Sequence, residues 1–488
     1  MDYSLKVQER QLLASQSNAA RNEESFFKQK SRVLWLKEGD KNTAYFFQTM
    51  TKRRNRKKIL SLQTENGVTI EGDITVKREI VEFYQQLLGS KSPTSSGQAR
   101  KRILFCMVHP KLNEQQSKDM IREVSADEIR EVFLEAWPVI GGDVIGAIRE
   151  FFSTGNMLRE FNNTIITLVP KVQNPTTMGE FRPISCYNVI YKAISQIIAN
   201  RIKKYLNGII NPSQSAFIPG RRISDNILLA QEIMRDYHKE RGSPRCTVKV
   251  DIMKACDTID WQFIIDTLEA FNLPARMKSW IWSCIAFPKF SVNINGELEG
   301  FFPSARGLRQ GDPLSPYLFV LAMEVLSLST NQRINSNAQF KFHWRCKKLK
   351  LCQLTFADDL LMFCHGDIQS ATTLKEALNQ FPWLSGLQVN PKKSSLFMAA
   401  VDPQDTKQII DLFDFPKGNL PIRYLGIPLI STRMRTIHCL PLIKIIESRV
   451  KSWTNRFLSY ARRMQLITFV LGSIHIFWSS HLTSASFG

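Results

Sequence analysis

Apolar and polar positions recur along this chain in segments that outline its elements. Short alternating or continuously apolar runs read as strands, and three- and four-residue recurrence reads as helix. Residues 1–30 are polar and predict an exposed helix. Residues 60–70, broken by Asn66-Gly67, predict a short hairpin. Residues 74–88 and 125–132 predict helices, the second opening on the capping-box pattern from Ser125 to Glu128. From 164 the texture becomes β-rich: 164–169 predicts a strand, and 246–252 predicts another that ends on an acid. Residues 188–206 have helical periodicity, and 261–271 predicts a helix stopped near Pro274. Residues 290–295, followed by Gly296, open a second hairpin, and 314–328 predicts an apolar helix. Residues 354–363 are two short apolar runs joined by Ala357-Asp358-Asp359. Near the end, 442–464 predicts an amphipathic helix with Ile446, Val450, Trp453, Phe457, Ala461 and Met464 on one stripe. Arg449, Arg456 and Arg463 form a basic stripe on that helix. Strands and helices intermix without a regular βαβ beat, so the fold class is α+β.

Composition places this pattern in a globular, cation-rich chain. Of 488 residues, 43% are hydrophobic and 22% charged, which excludes a disordered or low-complexity chain. The net charge of +21 calls for a polyanionic partner, nucleic acid or an anionic membrane surface. It is concentrated at the ends: residues 1–60 carry 14 basic against 6 acidic groups, and 420–488 carry 9 against 1. Lys52, Arg53, Arg54, Arg56, Lys57 and Lys58 form one run, a phosphate patch, a nuclear localisation signal or a solvated face. Nine cysteines, an odd number without C-x-x-C spacing, argue against a disulfide framework and a zinc knuckle. They fit a reducing compartment, nucleus or cytoplasm. His343, Cys346 and Cys352 lie close in sequence but read as scattered half-buried thiols rather than a metal site. No secretory signal and no apolar run of spanning length is visible, so membrane insertion is not expected.

Three acids stand out from their surroundings. Asp251 ends the strand VKVDI, and Asp358 and Asp359 sit between LTFA and LLMF. Carboxylates among apolar neighbours are costly unless a cation neutralises them. A tight turn would bring Asp358 beside a strand end such as Asp251. Hard oxygen ligands without His or Cys suit Mg²⁺. The segment from Arg306 to Phe319, RGLRQGDPLSPYLF, adds Gly307 and Gly311, where backbone can approach a ligand, and Gln310, a donor and acceptor.

In order, KVDIMKACD, RGLRQGDPLSPYLF, FADDLLMF, LQVNPKKS and YLGIPL resemble the reverse transcriptase domain of plant non-LTR (LINE-type) retrotransposons. WLKEGDKNTAYFF, ITLVPK, FRPIS and QSAFIPGR upstream are also similar to that family, so the resemblance runs from about Ser31 to the end. It implies a right hand of fingers, palm and the start of a thumb. The division it suggests is a basic helical segment at 1–60, a connecting helical region with incomplete fingers at 61–150, fingers and palm at 151–419, and a primer-grip turn with the start of basic thumb helices at 420–488. The implied activity is RNA-directed DNA synthesis with an RNA template, a DNA primer, dNTPs and two Mg²⁺ ions, Mn²⁺ being an alternative. By the resemblance Asp251, Asp358 and Asp359 are the metal-binding catalytic acids and Lys393 a proton donor to pyrophosphate. Lys171, Arg182, Cys256, Gln310 and Gly311 match nucleotide-binding positions. Tyr424, Leu425 and Gly426 match the primer-grip turn, and Arg221 lies in a matching motif for primer or template. Arg449, Arg456, Arg463 and the cations of 52–58 would contact the nucleic-acid backbone.

The chain departs from the family pattern in three places. Cys256 stands where an aromatic side chain usually blocks the ribose 2′-hydroxyl, so discrimination against rNTPs is expected to be relaxed. A PGPDG-like segment expected between 132 and 133 is absent. The endonuclease and distal thumb of full polyproteins are not in this sequence. An inactive relic that still binds nucleic acid, and a maturase-like splicing cofactor, are the alternatives that these features leave open.

Overall fold

The computed structural model describes residues 58–482 apart from 65, 91–96, 133–136, 173, 433–434, 453–463 and 466. The predicted helix at 1–30, the cations from Lys52 to Lys57, Arg456 and Arg463 therefore lie outside the described residues, as does the 133–136 junction beside the expected PGPDG position.

Two four-stranded sheets organise the molecule. The first contains β3 (Thr164–Pro170), β4 (Phe181–Tyr187), β6 (Lys289–Ile294) and β7 (Glu297–Pro303) in the order β4-β3-β6-β7. β3 and β6 run parallel, and the outer pairs are antiparallel. The turn from β6 to β7 places Asn295 at φ 55° and Gly296 at φ 102°. That pair of left-handed residues is what a two-residue hairpin requires. The second sheet is wholly antiparallel, with β10 (Ser395–Ala399), β5 (Arg245–Val250), β9 (Asp359–His365) and β8 (Gln353–Phe356) in the order β10-β5-β9-β8. Two small hairpins complete the strands, β1 (Ser61–Gln63) with β2 (Thr69–Glu71) and β11 (Ile422–Tyr424) with β12 (Ile427–Leu429).

A helix covers one face of the first sheet, and both faces of the second are covered, the face away from the main core by the helix Ile223–Met234, whose Ala230, Ile233 and Met234 pack with Leu361, Phe363 and Phe397. Helix α1 (Asp73–Gly89) buries Val76, Ile80, Tyr84 and Leu87 against Ile166, Phe290, Val292 and Phe302 of the first sheet. Behind the second sheet pack α2 (Val189–Lys203), α3 (Trp261–Ala270), α4 (Ala275–Ile285), α5 (Ser315–Ser336) and α6 (Ile368–Ser385). The helices within 97–132 join this core through Leu104, Met107 and Ile129. Within 61–150, α1 therefore packs on the first sheet and the helices of 97–132 on the core behind the second.

Helix α5 runs eight residues past the predicted end at 328. Ser329 and Thr330 are buried, and their hydroxyls donate to Gln380 Oε1 and Leu326 O, each at 2.8 Å. Polar residues that pattern reasoning assigns to a helix exit are therefore satisfied inside it. A 17-residue helix at Thr436–Ser452 matches the start of the predicted amphipathic segment, and Val450 of its apolar stripe stays 42% exposed. Among the described residues no helix is long and apolar enough to cross a membrane. The nine cysteines are unpaired. Cys346 Sγ lies 3.8 Å from His343 Nδ1, and burial holds that imidazole down at about 3, a neutral ring in a stack with Tyr237.

Candidate active site

The second sheet brings the acids together. β5 and β9 pair with Val250 opposite Leu360, so Asp251, just beyond Val250, lies beside Asp359, just before Leu360. β8 and β9 close with Phe356 opposite Asp359, leaving Ala357 and Asp358 as a two-residue turn. Ala357 takes φ 56°, a left-handed backbone uncommon outside glycine and held here by the flanking ladder. Its N–H donates to Gln214 Oε1 at 3.2 Å, and Gln214 itself bridges Thr355. Burial among neighbouring protein raises the Asp358 carboxyl, and Asp251 raises it further. Burial and then Asp358 raise Asp359, partly offset by Lys249 and raised again by Asp251. Asp358 and Asp359 are thus each raised by neighbouring carboxylates as well as by burial, a repulsion that a bound cation would relieve. They do not converge on a single point: among the described residues no three His, Cys, Asp or Glu side chains are arranged to hold one ion.

Asp251 is fixed by a strap. Asn390 N donates to Asp251 O at 2.8 Å, and Asp251 N donates to Ser394 Oγ at 3.1 Å. Ser394 Oγ in turn donates to Asn390 O at 2.7 Å. Lys393, inside that turn, is thereby held beside the acid.

A cleft of about 620 Å³ opens over these residues. Asp251, Asp358, Cys256, Gln310, Gly311, Lys171, Arg182 and Lys393 all line it. Asp359, Arg221 and the Tyr424–Gly426 turn are not among its lining residues. The cationic side is dense. Burial lowers the Lys171 ammonium, and repulsion from Lys393 and Arg182 lowers it further. Lys171 Nζ donates to Gly179 O at 2.8 Å, which holds it at the cleft wall. Cations that repel one another across a cleft wall favour an anionic ligand, although Asp257 offsets part of that repulsion at Lys171.

The loop before α5 is anchored on every side. Gly307 N donates to Ile259 O at 2.8 Å, Trp261 Nε1 to Gly307 O at 2.7 Å, and Ser185 N to Gln310 O at 2.9 Å. Gly307 has φ +92°, and a Cβ there would meet Asp257 O at 2.6 Å, so only glycine fits. Arg309 is buried, donating to Thr164 Oγ1, Cys284 O and Asn162 O. Gln310 Nε2 donates to Asp257, a buried carboxyl that burial raises to about 6. Sequence reading missed Asp257, whose place in KACD carries no sign of burial. Cys256 is half-buried, its thiol pushed up to about 12 by burial, and its carbonyl accepts from Leu308 N at 2.6 Å.

Arg221 and Tyr424 lie outside the cleft lining and make contacts of their own. The Arg221 guanidinium donates to Ile210 O at 2.8 Å, Gln214 O at 2.6 Å, and Asn211 O. It pins the 210–221 loop, because carbonyls turned inward by that loop need donors. The Tyr424 side chain is 1% exposed and packs with Phe363, Phe397 and Leu429. The turn after it, with Leu425 at φ 48° and Gly426 at φ 88°, reaches the surface through Gly426. Arg449 and Lys58 are exposed.

An antiparallel sheet carrying acids at the end of its central strand and in the adjoining turn, beneath a cation-lined cleft, is the palm of a right-hand polymerase. The chain belongs to the family Reverse transcriptase (RNA-dependent DNA polymerase), whose model matches residues 169–429, more than half of it. It is 25% identical over 385 residues to the Transposon TX1 uncharacterized 149 kDa protein of Xenopus laevis, covering 75% of this chain and 29% of that protein. It is 27% identical over 288 residues to the Retrovirus-related Pol polyprotein from type-2 retrotransposable element R2DM of Drosophila melanogaster, covering 57% of this chain and 26% of that protein. The chain thus spans less than a third of the length of these curated relatives. A solved apo telomerase from Candida tropicalis shares a TM-score of 0.39 at 13% identity, over 60% of this chain and 59% of that one.

Proposed function

We propose that this chain is the polymerase domain of a non-LTR retrotransposon polyprotein and extends a DNA primer on an RNA template. The observation that carries this reading is the convergence, in one cleft, of Asp251 and Asp358 with Lys171, Arg182 and Lys393. The acids fit divalent metal: they are hard oxygen donors, and burial and neighbouring carboxylates raise Asp358 and Asp359. Two carboxylates that do not cage an ion suit Mg²⁺, which takes its remaining ligands from water and substrate phosphates. Asp251 and Asp358, with Asp359 adjacent, would hold two Mg²⁺ ions, whose positive charge would stabilise the 3′-oxygen and the pyrophosphate.

The chain's own residues do the rest by positioning and electrostatics. Lys171, Arg182 and Lys393 hold the triphosphate, and Lys393 delivers a proton to the leaving group. Gln310 and Gly311 seat the nucleotide against its template partner. Cys256 occupies the wall where a larger side chain would exclude a 2′-hydroxyl. Arg449 and the basic run at 52–58 contact phosphates without reading sequence, which base pairing supplies.

The test is Mg²⁺-dependent extension of a DNA primer on an RNA template, with Asp358→Ala and Asp359→Ala as controls. Wild-type extension that both substitutions abolish supports the reading. Extension no greater than the controls leaves the alternative, a nucleic-acid-binding relic, for which Cys256 is the motivating departure.

A further inference from the structure

Asp257 is a buried carboxylate that the polymerase reading leaves without a part. It is 8% exposed, it lines the cleft, and it sits six residues beyond Asp251. Gln310 Nε2 donates to both of its oxygens, at 3.0 and 3.2 Å. A glutamine amide can present either edge to a ligand, and the choice matters because one edge donates and the other accepts. An ionised carboxylate removes that freedom, since it can only accept. The NH₂ edge must turn inward to Asp257, which leaves Oε1 on the other edge, available to the cleft.

The backbone around this contact is tied down by hydrogen bonds. Leu308 N bonds Cys256 O at 2.6 Å, Gly307 N bonds Ile259 O at 2.8 Å, and Gln310 O accepts from Ser185 N. With the loop strapped to the 255–259 turn and to β4, the side chain of Gln310 is the remaining degree of freedom. Burial raises the Asp257 carboxyl to about 6, and the Gln310 amide, Lys254 and Lys171 work against that rise in favour of the ionised form that holds the amide.

We propose that Asp257 is a positioning residue that locks the Gln310 amide with its carbonyl oxygen toward the bound nucleotide, where it accepts a hydrogen bond from the substrate. The inference rests on the polymerase reading above. It predicts that Asp257 acts on nucleotide binding rather than on the chemical step.

The experiment measures dNTP KM, kcat and primer–template Kd for wild type, Asp257→Asn, Gln310→Ala and the double variant. Asparagine matches the shape of Asp257 but both donates and accepts, so the amide is no longer oriented. Asp257→Asn should raise dNTP KM about five- to tenfold, the loss of one charge-assisted hydrogen bond, with kcat changed less than about twofold and primer–template Kd unchanged. The double variant should be no worse than Gln310→Ala, because both changes remove one unit. Additive effects, or an unchanged KM in Asp257→Asn, overturn the inference while leaving the polymerase reading intact. An Asp257→Asn chain that does not fold assigns the residue to the fold alone and overturns it too. A wild-type chain without Mg²⁺-dependent extension overturns the polymerase reading and this inference with it.

Discussion

Glu324 is the sharpest place to perturb the support beneath the active site. It lies in the middle of α5, 2% exposed, and its Oε2 accepts from Asn211 N at 3.0 Å. The Asn211 carbonyl accepts from Arg221, the pin of the 210–221 loop that carries Gln214 to the Ala357 turn. Burial pushes the Glu324 carboxyl up to about 8, opposed by the Asn211 N–H and by Arg221. Below the unfolded carboxyl value of about 4.5 the group is protonated in both states and stability is complete. As pH rises past 4.5 the unfolded chain releases the proton and the folded chain keeps it, so stability falls until the folded carboxyl titrates near 8. At about 1.4 kcal/mol per unit, the loss is on the order of 3 kcal/mol by pH 7. Glu324→Gln keeps an acceptor for Asn211 N–H and removes the titration. Urea unfolding at several pH values should give equal stabilities near pH 4.5 and a variant progressively more stable than wild type toward pH 8. Parallel pH slopes for the two proteins would refute the reasoning.

Other substitutions probe separate contacts. Gly307→Ala combines a left-handed φ of +92° with a Cβ 2.6 Å from Asp257 O, and should cost at least about 2 kcal/mol in denaturant unfolding and raise dNTP KM. Cys256→Tyr should sharpen dNTP over rNTP selection in primer extension, and an unchanged ratio would discard the steric-gate idea. Arg100→Ala leaves the wholly buried Asp266, now 2.7 Å from Arg100 Nε, with Gln262 and the more distant Lys101, and should cost about 3 kcal/mol in chemical unfolding. The double change Arg100→Met with Asp266→Leu should recover much of that loss, since both wholly buried charges are removed and Asp260, which also pairs with Arg100, is only part-buried.

The hydrophobic pattern alone determined most element positions. The hairpins at 61–71 and 289–303, the strand before Asp251 and the paired runs around Asp358 were legible because strand periodicity and turn chemistry are local. The resemblance of the ordered motifs then named the acids and cations of the cleft. The sequence could not show that Tyr424 faces inward or that Arg221 bonds its own loop, because both depend on which carbonyls and side chains the fold buries. Nor could it show Asp257 beneath Gln310, 53 positions apart, since no local signal marks a carboxylate for burial. Strand pairing placed Asp251 beside Asp359 across more than 100 residues, and the strap from Asn390 and Ser394 brought Lys393 to the same mouth. Local chemistry chose the residues, and long-range pairing and burial decided which of them share a site.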